Sequence, residues 1–172
     1  SIREQSVRLE HQIDKLVNLG FLETQEYGRD LQTFDVVEMV RTAVTPLLQP
    51  AREKALELSL DLPERAVVVQ ADRSDLRRAL QGLLENSVKF TPLGGRVRVF
   101  ATIDGLEVAI GVEDSGIGIE PRYHRRIFEK FFQIEDPLTR HHGGAGLGLF
   151  VAQGIIGAHG SRIEVDSALG RG

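Results

Sequence analysis

The stretch from Arg96 to Glu113 limits the fold more than any other part of the chain. Arg96 to Ile103 and Leu106 to Glu113 both read as strands, and the Asp104-Gly105 pair between them is the short-turn signature of a hairpin. The sheet is therefore antiparallel in at least one place. Around the hairpin, Leu56 to Leu62 and Ala66 to Gln70 are predicted strands flanking a Pro63-Glu64 turn, and Arg162 to Asp166 is one more. Asp35 to Lys54 is a predicted helix, which Pro46 and Pro50 should kink or end early. Leu76 to Thr91 and Leu147 to His159 are further helices, the first stopped by Pro92-Leu93-Gly94-Gly95 and the second closed by Gly160. Strands interleaved with helices around a hairpin make the expected class α+β, a two-layer α/β sandwich. With 172 residues, 41% of them hydrophobic, the chain can bury one core plus an appendage.

Two glycine-rich clusters about thirty residues apart carry most of the functional signal. They are Asp114-Ser115-Gly116-Ile117-Gly118-Ile119 and Gly143-Gly144-Ala145-Gly146-Leu147-Gly148-Leu149. Glycine lets main-chain N–H groups approach a ligand, and the second cluster runs into a helical stretch whose N-terminus favours an anion. Either cluster alone reads equally well as a set of turns. A third element lies in the Leu76 to Thr91 helix, which has Asp72 or Ser74 available as N-cap. Its apolar face is Leu76, Ala79, Leu80, Leu83, Ser87 and Phe90. Gly82, Asn86 and Lys89, at i, i+4 and i+7, share a different face, where an amide oxygen suits a hard cation and an ammonium suits a phosphate. As a plain surface residue Asn86 would be a poor helix former well inside the run.

In order, Leu83-Leu84-Glu85-Asn86-Ser87-Val88-Lys89-Phe90-Thr91-Pro92, then Asp114 to Ile119, then Ile127-Phe128-Glu129-Lys130-Phe131-Phe132, then Gly144 to Leu149 resemble the N, G1, F and G2 boxes of sensor histidine kinases. The resemblance implies a Bergerat-type sandwich, with a mixed, largely antiparallel sheet packed on helices and a helix N-terminal to it. Residues 1–28 would be the second helix of the dimerisation and phosphoacceptor domain plus a linker, and 29–172 the catalytic ATP-binding domain. Carried over by position, Asp114 accepts a hydrogen bond from the adenine amino group, and Gly116 and Gly118 let the backbone turn beside the ring. Ile119 and Leu147 are apolar wall, Asn86 holds Mg²⁺, and Lys89 and Phe90 contact phosphate and flank the nucleotide. Gly144, Gly146 and Gly148 give the turn around the phosphates. The implied activity is transfer of the ATP γ-phosphoryl group to a histidine of a dimerisation domain, in cis or trans within a homodimer, and onward to a response regulator. ADP is the other nucleotide ligand.

Three features depart from the family pattern. Gly82 stands where a second Asn is usual, Gln133 stands where many relatives have Arg, and the last box stops at Gly170-Arg171-Gly172. Arg140 or a lid histidine is a substitute cation for the γ-phosphate. The polar segment Gln133 to Gly143 is the expected lid over the nucleotide, against an ordinary surface loop. No catalytic acceptor is assigned among the five histidines: His11-Gln12-Ile13-Asp14 lacks the family's context, and His124 has none. The His141-His142 pair has no third ligand at useful spacing, and His159 before Gly160 suits an imidazolium at a helix C-terminus. An anti-sigma-type serine kinase and a non-catalytic nucleotide-sensing module share the nucleotide boxes and are the alternatives.

Composition narrows the rest. Cys is absent and no apolar run approaches the ~18 residues of a membrane span, so disulfide and transmembrane roles fall away for this segment. A net charge of −4 leaves no footprint for nucleic acid, and the Arg122 to Arg126 cluster is too short to change that. The expected setting is cytoplasmic, as part of a longer protein whose other parts can be membrane-bound. Leu9, Ile13, Leu16 and Gly20 form a helical seam that wants a partner, and Tyr27-Gly28-Arg29-Asp30 reads as a linker.

Overall fold

The computed structural model describes Tyr27, residues 30–134 and residues 145–172. The N-terminal seam with His11, the greater part of the lid segment with Arg140, His141 and His142, and Gly144 lie outside the described residues.

Strand β1 (Leu31–Asp35) was not expected, since Leu-Gln-Thr-Phe-Asp has no clear alternation. It pairs antiparallel with β3 (Val68–Asp72), Leu31 opposite Asp72 and Asp35 opposite Val68. Asp35 then caps the following helix, its Oδ1 accepting the Val37 N–H at 3.0 Å and the Val67 N–H at 2.9 Å. The helical stretch kinks as its prolines suggest: α1 (Val36–Val44) passes through a 3₁₀ turn (Thr45–Leu47) into α2 (Leu48–Glu53). Pro46 sits in the 3₁₀ turn and Pro50 in the first turn of α2, where a missing N–H deprives no helical bond.

The second sheet is the one that positions the site. Strand β2 (Glu57–Asp61) runs parallel to β4 (Arg96–Asp104), which pairs antiparallel with β5 (Glu107–Asp114). Asp104 faces Glu107, so the two-residue loop is Gly105-Leu106, one residue later than the sequence indicates. Gly105 takes φ +59, which places glycine at the first central position of the turn, as a type II′ hairpin requires.

Helix α3 (Arg73–Phe90) is flanked by two apolar clusters. Leu80, Leu84 and Val88 join Val36, Met39 and Val40 of α1 and Val97 and Val99 of β4 in the main core. Ala79 instead joins Val151, Ala152 and Ile155 of α4 (Gly148–Ala158). Helices on a mixed sheet make the expected two-layer sandwich, and truncating a side chain as buried as Leu84 should cost about 2–5 kcal/mol.

Arg162 to Asp166 is not a strand, contrary to the sequence reading. Its alternation survives as burial, with Ile163 packed against the α3/α4 cluster. Ile163 finds its partners on helices, and no ladder forms. Among the described residues no helix is long and apolar enough to cross a membrane.

Candidate functional site

Helix α3 delivers Asn86, Lys89 and Phe90 on its last turns. Lys89 is half-buried, and that burial pushes its ammonium pKa below the ordinary lysine value; its Nζ lies 4.9 Å from the Phe90 ring centroid. Asn86 is half-buried too, and its amide makes no hydrogen bond to a described residue.

Strand β5 delivers Asp114 to the same place. Its Oδ1 accepts the Gly116 N–H at 2.8 Å, folding the first glycine cluster into a tight turn after the strand. The turn meets the end of α3, where the Ile117 N–H donates to the Phe90 carbonyl at 3.4 Å. Gly118 has φ +72, and a Cβ there would lie 1.9 Å from the Ala168 carbonyl oxygen, so only glycine fits. The close approach at Gly118 is thus made by the chain's own backbone. Ser167 completes the clasp: its hydroxyl accepts the Ile119 N–H at 2.8 Å, and the Gly170 N–H donates to the Ile117 carbonyl at 2.7 Å. Nothing in the sequence singled out Ser167, because its partner lies 48 residues away.

The second cluster docks on the aromatic segment before the lid. The Phe131 N–H donates to the Gly146 carbonyl at 3.0 Å, and Gly146, at φ +65, has no room for a Cβ, which would sit 2.8 Å from the Phe132 carbonyl oxygen. Leu147 is 2% exposed and anchors the turn. Phe128 is also buried, while Phe131 is half exposed. Arg126 stacks 4.3 Å above the Phe132 ring, which lies 5.9 Å from the Tyr123 ring. Helix α4 begins at Gly148 with no side chain capping it, which leaves its first N–H groups and its dipole for an anion. A Cβ on Gly82 would lie 3.4 Å from the Gly148 carbonyl, so the middle of α3 faces the start of α4. The described parts of the three elements meet around α3.

His159 corrects one expectation. Its Nε2 accepts the Asp72 N–H at 3.1 Å, a role only the neutral ring can fill, and its Nδ1 bonds the Ile155 carbonyl at 2.8 Å. Geometry here selects neutral imidazole over the imidazolium expected at a helix end. His124 bonds the Ile119 carbonyl at 3.1 Å through Nε2.

Comparison with known proteins bears on the family and the fold. A family model described as histidine kinase-, DNA gyrase B-, and HSP90-like ATPase matches residues 71–172. The chain is 33% identical over 172 residues to the sensor histidine kinase RppB of Synechocystis sp., covering 100% of this chain and 38% of that protein. It is 34% identical over 172 residues to the alginate biosynthesis sensor protein KinB of Pseudomonas aeruginosa, covering 100% of this chain and 28% of that protein. The chain therefore spans well under half the length of these curated relatives. Among solved structures, full-length ShkA in complex with AMPPNP is 29% identical with a TM-score of 0.77, over 98% of this chain and 36% of that one. The mycobacterial sensor histidine kinase MprB is 29% identical with a TM-score of 0.64, over 76% of this chain and 80% of that one.

Proposed function

This chain belongs to the family of histidine kinase-, DNA gyrase B- and HSP90-like ATPases, and from that membership we propose that it is the ATP-binding catalytic domain of a sensor histidine kinase. In this reading residues 29–172 are that domain, and residues 1–28 are part of the second helix of the dimerisation and phosphoacceptor domain with its linker. The observation that carries the reading is the meeting of three separate segments on α3: Asn86 to Phe90, the Asp114 to Gly118 turn, and the uncapped start of α4.

Each residue has a task that follows from its chemistry. The second oxygen of Asp114, not used by Gly116, accepts the adenine amino hydrogen. Phe90 flanks the nucleotide and the Gly146-Leu147-Gly148 turn with the α4 N-terminus receives phosphate, Gly144 completing the turn. Burial lowers the Lys89 ammonium pKa, and a phosphate anion beside it favours the charged form. Asn86 fits Mg²⁺, since one neutral amide oxygen is a hard ligand too weak to hold the ion without the nucleotide's own phosphates. Bound there, Mg²⁺ supplies charge neutralisation on the transferring phosphoryl group. The chain's own residues then fix the nucleotide so that an acceptor imidazole, supplied in cis or trans by the dimerisation domain of a homodimer, meets the γ-phosphorus in line. A response-regulator aspartate is the next acceptor, which places the domain in the cytoplasm.

Titration calorimetry with Mg·ATP tests the adenine assignment. Asp114→Ala should lose about ten- to a hundredfold in affinity, the value of a hydrogen bond to a buried polar edge. Equal affinity would remove Asp114 from the site. In the parent protein, an acid-labile phosphohistidine is the expected product, whereas acid-stable phosphoserine would assign a serine kinase.

A further inference from the structure

Past Ser87, whose carbonyl takes the closing N–H of the helix, the carbonyls of α3 have no helical partner, and the nucleotide-facing residues hang on that same turn. Each carbonyl is nevertheless satisfied. The Ser87 carbonyl accepts from the Thr91 N–H at 3.0 Å and from the buried Thr91 hydroxyl at 2.6 Å. The Phe90 carbonyl takes the Ile117 N–H. The remaining two, of Val88 and Lys89, are both held by one ammonium: Lys54 Nζ donates to them at 2.7 and 2.9 Å. Lys54 comes from a different helix, 35 residues from Lys89.

We infer that Lys54 is a positioning residue for the phosphate side of the nucleotide site, clamping the last turn of α3 from the end of α2. A cation on helix C-terminal carbonyls is favoured both by the dipole and by charge-assisted hydrogen bonding. The clamp is two-sided, because the Lys54 carbonyl also accepts the Gly94 N–H at 3.0 Å, in the turn that follows α3. Local backbone aims it. Helix α2 closes in a Schellman turn, with the Leu56 N–H on the Ala51 carbonyl and the Ala55 N–H on the Arg52 carbonyl, both at 2.9 Å. The residue at its left-handed position is Ala55, at φ +49, where glycine is usual. Leu56, buried just after, anchors the turn to the core. Half-buried, Lys54 has its ammonium pKa lowered by desolvation.

This inference rests on the nucleotide reading above and is tested apart from it. Lys54→Met keeps the length and removes the charge and donors; Lys54→Arg keeps both. With folding checked by circular dichroism, Lys54→Met should bind Mg·ATP about tenfold more weakly, one charged hydrogen bond's worth. Adenosine affinity should change by less than about twofold, because the clamp acts on Lys89 and not on Asp114. Amide exchange at Lys89 to Thr91 should quicken, and Lys54→Arg should restore ATP binding to within about threefold of wild type. If Lys54→Met does not fold, Lys54→Gln is judged by the same ATP-to-adenosine comparison. An unchanged ATP affinity, or equal losses for ATP and adenosine, overturns the inference. A wild-type chain that binds no nucleotide overturns the functional reading and this inference with it.

Discussion

Asp72 is the point at which α3 is attached to the rest of the fold, and its removal should be felt throughout the site. It is 7% exposed, and its carboxylate accepts three hydrogen bonds: from the Ser74 hydroxyl at 2.8 Å, the Asp75 N–H at 3.1 Å and the Asp30 N–H at 3.1 Å. Loss of an N-cap to Ala costs about 0.5–2 kcal/mol, and each other net hydrogen bond about 1 kcal/mol, so Asp72→Ala should destabilise the domain by about 2–4 kcal/mol. With a urea slope of about 1–3 kcal/mol per molar, the midpoint should fall by about 1–2 M. Burial alone would raise the Asp72 pKa, but the hydrogen bonds from Asp75, Ser74 and Asp30 together outweigh it and hold the carboxyl below the usual aspartate value. A depressed folded-state pKa means the carboxylate stabilises the fold above the unfolded-state value. That stabilisation is lost as pH falls through the folded value. Asp72→Asn keeps the cap but not the charge, so its deficit against wild type should be constant near pH 7 and close below about pH 4. Urea melts of the three proteins across that range decide the matter. An Asp72→Ala midpoint equal to wild type, or an Asp72→Asn gap that persists in acid, would refute the reasoning.

Other outcomes follow from the same geometry. Asn86→Ala should weaken ATP binding strongly with Mg²⁺ present and little with a chelator, as read by calorimetry under both conditions; a uniform loss would mean a folding defect. His159→Ala strands the Asp72 N–H and should cost about 1–3 kcal/mol in urea unfolding, with His159→Gln costing less if its amide oxygen reaches that donor. The 172-residue chain alone should bind nucleotide without incorporating acid-labile phosphate from γ-labelled ATP, and an acceptor helix added in trans should restore labelling. Label on His11 would show that the first 27 residues are the acceptor helix.

The hairpin, the kinked helix and the long run to Phe90 were legible because each is a local matter: alternation, proline chemistry and helical spacing act within a dozen or so residues. Box order likewise placed Asn86, Asp114 and Gly148 on the elements that carry them. Tertiary structure decided where a partner had to be found. Leu31 to Asp35 became a strand because β3 lies beside it, whereas Arg162 to Asp166, with better alternation, pairs with no strand and packs Ile163 on the α3/α4 cluster instead. The ring of His159 is neutral because the start of α3 offers it an N–H, which outweighs the local rule favouring a cation at a helix end. Lys54 looked like the polar close of a helix. Its role depends on two carbonyls more than thirty residues away, and a backbone carbonyl leaves no mark on the sequence that a distant side chain's spacing would reveal.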